Sequence, residues 1–217
     1  MKRPVAELAF LLKEDFEVSV LLPRPAFGEP DLSLHHADML RDVRLITYAT
    51  LQPPVMYEQP IPGPRFLLEA WRVLRENDVV HMWVPTYLTS LLLLAMKRFF
   101  FPGKRLILSM DTVPGYSFSL GRTLDTAFHC WYRLFRTTLF LTPNIVHLYG
   151  KSLIPYAVRA DVPRKRIRVI PTGVFLEKFQ SGNRARTRRL LGLKKHEMMV
   201  LFAGLLVDRK GVDIVLK

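Results

Sequence analysis

Asp78-Val79-Val80-His81-Met82-Trp83, then an apolar run from Tyr87 to Phe100, then Arg105-Leu106-Ile107-Leu108-Ser109: this stretch decides the fold. The two short runs are near-continuously apolar, which marks buried strands. The segment between them is long enough for a helix and is apolar on most of its surface. Strand, covering helix and strand in that order predict a parallel pair joined by a crossover.

The same alternation continues outward. Downstream, Leu120 to Arg136 reads as a helix and Asn144-Ile145-Val146-His147-Leu148 as a strand. Lys151 to Arg159 reads as helical, and Ile167-Arg168-Val169-Ile170 as another strand. Upstream, Val5, Leu8, Ala9, Leu11 and Leu12 recur at helical spacing before a strand over Glu17 to Leu22. Val43 to Thr47 is a short strand, and a helix over Arg65 to Arg75 is expected to bury Phe66, Leu67, Ala70, Trp71 and Leu74. Five prolines between Gln52 and Pro64 exclude regular helix and central strand there. The expectation is an α/β domain with a doubly wound parallel sheet, Rossmann-like, over residues 1–171. Residues 172–197 turn polar and basic, as a linker would. At 198–217 a strand over Met198 to Ala203 and a helix start near Lys210 read as the first βα unit of a second domain.

Composition bounds the function. Of 217 residues 49% are hydrophobic, including 14 Phe, enough to build a core and too many for a disordered chain. The net charge of +13 draws polyanions such as nucleotide phosphates, nucleic acid or an anionic membrane face. Nucleic acid is disfavoured, because no zinc-ligand spacing, aromatic RNA-binding strand or helix-turn-helix accompanies the charge. Cys130 is the single cysteine, so no internal disulfide forms. Glu7, Lys13, Glu14 and Asp15 interrupt any leader-like run after the basic start. Lys97 and Arg98 break the most apolar segment, Leu91 to Phe101, well short of the ~20 residues of a membrane span. The expected location is the cytoplasm, with peripheral attachment at the inner membrane face. Lys97, Arg98, Lys104 and Arg105 around Phe99, Phe100 and Phe101 are a pattern suited either to anionic headgroups or to a core helix with a solvated basic end.

Three places carry chemistry. Val200-Leu201-Phe202-Ala203-Gly204-Leu205-Leu206-Val207-Asp208-Arg209-Lys210-Gly211 reads as a strand, a tight turn and a basic pair at a helix start. Such a start suits a diphosphate, although an ordinary turn with solvated Arg209 and Lys210 has the same pattern. Asp111, Thr112 and Gly115 follow a strand, so they stand at the carboxyl edge of the sheet, where α/β ligands bind. Asp111 is placed either to accept a hydrogen bond from a hydroxyl of sugar or acceptor, or to cap a turn. His81, at a strand end, either faces the same cleft or is a satisfied core histidine. No Asp-x-Asp or His/Cys cluster implies a metal, and no cofactor is expected.

The segment Val200 to Asp213 resembles the strand–GRL–loop–KG–helix element that opens the second domain of family 4 glycosyltransferases of the GT-B fold. Ile167-Arg168-Val169-Ile170-Pro171-Thr172-Gly173-Val174-Phe175, with Lys178-Phe179, is similar to that family's I-P-N-G-V-D…F crossing. Val5-Ala6-Glu7-Leu8-Ala9 leading into Phe16 to Val20, and Asn77 to His81, look like its first helix, second strand and D-V-V-H strand. The four matches fall in the family's order. The resemblance implies a retaining transferase that moves a sugar from a nucleotide-sugar to a glycan or lipid-linked acceptor, with Gly204, Lys210 and Arg209 at the donor diphosphate. His81, Thr112 and Gly115 would line the acceptor cleft, and Asp111, where many members have histidine, would be catalytic. Leu205, Thr172 and Phe175 depart from the arginine, asparagine and aspartate of the family motifs. The family's first strand and glycine-rich loop would precede Val5, and its paired donor-site glutamates would follow Lys217. The 217 residues alone are therefore expected not to turn over. The alternative is a non-catalytic acceptor- or membrane-binding subunit of a split enzyme.

Overall fold

The computed structural model describes residues 3–24, 40–51, 61–173, 176, 180, 182–194, 196–202 and 214. By internal contacts the chain divides into two units, Met1–Thr172 and Gly173–Lys217.

The first unit opens with α1 (Arg3–Leu12), then β1 (Ser19–Pro23), β2 (Arg44–Tyr48), β3 (Thr50–Leu51), β4 (Ile61–Pro62) and α2 (Arg65–Glu76). It continues with β5 (Val79–Trp83), α3 (Leu88–Phe100), β6 (Arg105–Met110), α4 (Arg122–Leu134) and α5 (Arg136–Leu141). It closes with β7 (Ile145–Leu148), α6 (Ile154–Arg159) and β8 (Ile167–Val169). β5-β6-β7-β8 form a four-stranded parallel sheet in sequence order, and β1 pairs with β2, also parallel. The fold class is α/β with a parallel, Rossmann-like sheet.

Alternation along the strands sorts the sheet into two faces. Val80, Met82, Leu106, Leu108, Met110, Val146, Leu148 and Ile167 lie in register on one face and are all buried. There they join Phe66, Ala70 and Leu74 of α2, Leu91 and Leu94 of α3, and Leu139 and Phe140 of α5 in one core. Each fully buried aliphatic side chain contributes about 2 kcal/mol by leaving water. A smaller cluster, Ala6, Ala9, Val20, Leu40 and Val43, holds α1 to β1.

Several elements differ from expectation. α2 buries Phe66, Ala70, Val73 and Leu74, while Leu67 and Trp71 are 47% and 42% exposed, so its apolar stripe is rotated toward Val73. The helix expected over Leu120 to Arg136 breaks at Phe135, and α5 follows. Arg166 closes α5 from outside the helix: its guanidinium donates to the carbonyls of Leu141 and Pro143, each at 2.5 Å. β3 and β4 form a two-residue antiparallel ladder, short enough to fit among the prolines.

In the second unit, α7 (Arg184–Leu190) stands inside the stretch read as linker. Asn183 caps it, its Oδ1 accepting from the Arg186 N–H at 2.9 Å. Gly192, at φ 66°, ends it: the Leu193 N–H reaches the Arg188 carbonyl and the Gly192 N–H that of Arg189. Met198 to Phe202, expected as a strand, carries no strand structure, and Met198, Val200 and Leu201 are exposed. An extended segment needs a neighbour for its backbone hydrogen bonds, and among the described residues none pairs with it. The turn and helix start at Gly204 to Lys210 lie outside the described residues.

Candidate functional site

The carboxyl ends of β5, β6 and β7 bring the chemistry-bearing side chains of the first unit together. β6 ends at Met110 and delivers Asp111 and Thr112 to that edge; Asp111 is exposed, and Thr112 Oγ1 donates to its Oδ1 at 3.3 Å. The following turn is tied down at several points. The Val113 N–H donates to Ser117 Oγ at 2.8 Å, and that hydroxyl donates back to the Val113 carbonyl at 3.0 Å. His129 Nε2 of α4 donates to the Gly115 carbonyl at 2.9 Å, and the Tyr116 ring lies 4.3 Å from the His129 ring. Gly115 has φ 77°, and a Cβ there would meet the Asp125 carbonyl oxygen at 3.2 Å and the His129 ring at 3.3 Å. Gly115 thus lets the loop approach α4, a geometric role that fixes where Asp111 and Thr112 emerge.

Beside them, the second face of the sheet carries a polar row. In strand register Trp83, Ser109, His147 and Arg168 are neighbours, with His81 one step behind Trp83 on the same face. His81 Nε2 lies 2.6 Å from Ser109 Oγ, which lies 2.7 Å from His147 Nδ1. His147 Nε2 donates to the Ile170 carbonyl at 2.8 Å. Trp83 stacks on His81, with centroids 4.0 Å apart and planes 19° from parallel, and its Nε1 donates to the Tyr149 hydroxyl at 2.7 Å. Ser109 is fully buried.

Two further properties mark this corner. Val84 ends β5 at φ 63°, a left-handed conformation that a β-branched residue rarely adopts. It is held there by its N–H donating to the Ser109 carbonyl at 3.2 Å and by Ser90 Oγ donating to its own carbonyl at 2.7 Å. Backbone strain of this kind clusters where a site must be held in a set shape. Burial, then the neighbouring His147, push His81 down to about 4, so the ring is neutral at physiological pH.

Of the residues singled out in the sequence, Asp111, Thr112 and Gly115 follow β6 at the carboxyl edge of the parallel sheet, while His81, expected at a strand end, stands in the middle of β5, in register with Ile107. Gly204, Arg209 and Lys210 lie outside the described residues. Sequence reasoning missed Ser109, His147, Trp83 and Tyr149. The available signal was polar residues at matching alternate positions of otherwise apolar strands. Among the described residues no group of three or more His, Cys, Asp or Glu is placed to hold a metal.

The structure defines an α/β protein with a Rossmann-like parallel sheet, and ligands of such sheets bind outside the carboxyl ends of the strands. No family model matches the chain. Over 85 residues it is 48% identical to a D-inositol 3-phosphate glycosyltransferase of Acidothermus cellulolyticus, a stretch covering 39% of this chain and 16% of that relative. The likeness supports a protein of the glycosyltransferase kind.

Proposed function

We propose that this chain contributes the acceptor side of a nucleotide-sugar-dependent glycosyltransferase of family 4 and GT-B architecture. The likeness to the D-inositol 3-phosphate glycosyltransferase carries the reading, and the polar carboxyl edge of the sheet agrees with it. In this reading residues 1–171 shape the acceptor cleft, residues 172–197 link, and residues 198–217 begin the donor domain. Gly204, Arg209 and Lys210 cradle the donor diphosphate, the helix start supplying N–H groups and Lys210 a point charge. Asp111 accepts a hydrogen bond from an acceptor hydroxyl, with His81, Thr112 and Gly115 lining the cleft. No metal takes part. The acceptor is a glycan or a lipid-linked molecule, or an anionic polyol such as the one in the relative's name. A chain of net charge +13 draws an anionic acceptor.

The test is nucleoside diphosphate release from a panel of nucleotide-sugars by the chain joined to a complete donor domain, because the 217 residues alone are expected not to turn over, with D-inositol 3-phosphate as the first acceptor tried. Asp111→Asn should lower turnover at least about tenfold, and Lys210→Ala should raise the donor KM by about as much. Acceptor binding with no release from any donor would move the reading to a non-catalytic subunit. No binding of either substrate would overturn both.

A second reading concerns the membrane, and the exposed end of α3 favours it. Phe99 and Phe100 are 71% and 61% exposed, and Trp71 of α2 packs on Phe100 and Phe101 at 5.2 and 4.8 Å. The basic cluster is smaller than the sequence suggested. Lys97 is only 6% exposed and its ammonium donates to the Pro102 carbonyl, while Lys104 pairs with Asp78. Exposed Arg98 and Arg105 remain to meet anionic headgroups. No helix among the described residues is long and apolar enough to cross a membrane. Cosedimentation with phosphatidylserine vesicles, lost on Phe99→Ser with Phe100→Ser, would support peripheral attachment at the cytoplasmic face; equal binding to neutral vesicles would refute it.

A further inference from the structure

A buried serine in the middle of a parallel strand is costly unless its hydroxyl is used, and Ser109 joins two histidine rings. The direction of that bridge follows from its far end. The Ile170 carbonyl only accepts, so His147 Nε2 carries a hydrogen. A neutral imidazole carries one ring hydrogen, and with that hydrogen on Nε2 the other nitrogen, Nδ1, is a bare acceptor to which the Ser109 hydroxyl donates at 2.7 Å. The serine oxygen then accepts from His81, whose hydrogen must sit on Nε2, 2.6 Å away. His81 Nδ1 is left as a lone pair, with no partner among the described residues.

We propose that Ser109 is a positioning residue: with His147 and the Ile170 carbonyl it locks His81 in the Nε2–H tautomer, so that Nδ1 is an acceptor for a substrate hydroxyl. Only the word hydroxyl rests on the glycosyl-transfer reading; the relay stands on geometry. One other contact keeps the ring from turning away. Trp83 stacks on it at 4.0 Å and is itself held by Tyr149, and the Ser109 carbonyl pins the strained Val84 turn just beyond. One residue therefore sets the proton position of His81 through its side chain and the strand end beside it through its backbone.

The experiment is a long-range nitrogen–proton correlation spectrum of the histidine rings in the 217-residue chain near neutral pH, with His81 assigned by its loss in His81→Gln. The expected result is a single Nε2–H tautomer for His81. Ser109→Ala should release it to a mixture of both tautomers. His147→Phe removes the acceptor that orients the serine, so the hydroxyl turns to His81 and the population moves to Nδ1–H. The wild-type spectrum decides even where a variant fails to fold. A predominant Nδ1–H form in the wild type, or an unchanged Nε2–H form in a folded Ser109→Ala, would overturn the proposal. A locked His81 in a protein that transfers no sugar would sink the substrate assignment and leave the relay standing.

Discussion

Acidification should unfold this protein through one ring, and the size of the effect follows from where His81 sits. In the unfolded chain the ring titrates near 6.5; in the fold, burial and then the neighbouring His147 bring it to about 4. Between those values the unfolded state binds a proton that the folded state refuses, so stability falls as pH falls and levels off below the lower value. The full slope is about 1.4 kcal/mol per pH unit. Partial exposure of the ring trims the total to about 2 kcal/mol, or about 4–8 °C in Tm for a chain of this size. To isolate this ring, the assay compares wild type with His81→Gln. The Gln amide can still donate to Ser109 but does not titrate. Urea unfolding followed by circular dichroism, from about pH 7 to about pH 4.5, should show the wild-type curve falling faster than the variant's by most of that amount. Parallel curves across the window would refute the claim that His81 is held neutral by its surroundings.

Three substitutions probe the scaffold. Leu94→Ala, at a fully buried position of α3 in the main core, should cost about 2–5 kcal/mol by thermal or urea unfolding. Gly115→Ala places a Cβ at φ 77° within 3.2 Å of the Asp125 carbonyl, and should cost about 1–3 kcal/mol and loosen the loop that presents Asp111. Arg166→Met removes the guanidinium from the Leu141 and Pro143 carbonyls while keeping the stem, and should cost about 1–2 kcal/mol, with amide exchange rising first at the end of α5.

How much of this was legible in the sequence depends on the range of the interaction involved. β5, α3 and β6 were readable because apolar runs, Pro102 and Gly103 mark their limits locally. The end of α5 was not, because it depends on Arg166, which reaches back across β7. α7 had its local signals, Asn183 and Gly192, but the stretch between them is half Arg, with only Ala185, Leu190 and Leu191 apolar, and gave no apolar stripe to see. On α2 the expected face was off by about 50°, less than one residue's step, because Val73 packs inward where Trp71 turns to Phe100 and Phe101.

The site divides along the same line. Asp111, Thr112 and Gly115 were legible because position after a parallel strand is enough to put a residue at the carboxyl edge. His81 was legible as a polar residue in an apolar strand, but its chemistry was not. Its partners stand 28 and 66 residues away, and only strand register brings Ser109 and His147 into line with it. That register is set by the opposite face: Val80 on Leu106, Leu108 on Val146, and Val146 on Ile167. A slip of one residue would turn the buried row outward and scatter the polar one. The apolar core therefore does more than stabilise this sheet. By fixing register it aligns two histidines and a serine across three strands, and so sets which nitrogen of His81 is free to meet a ligand.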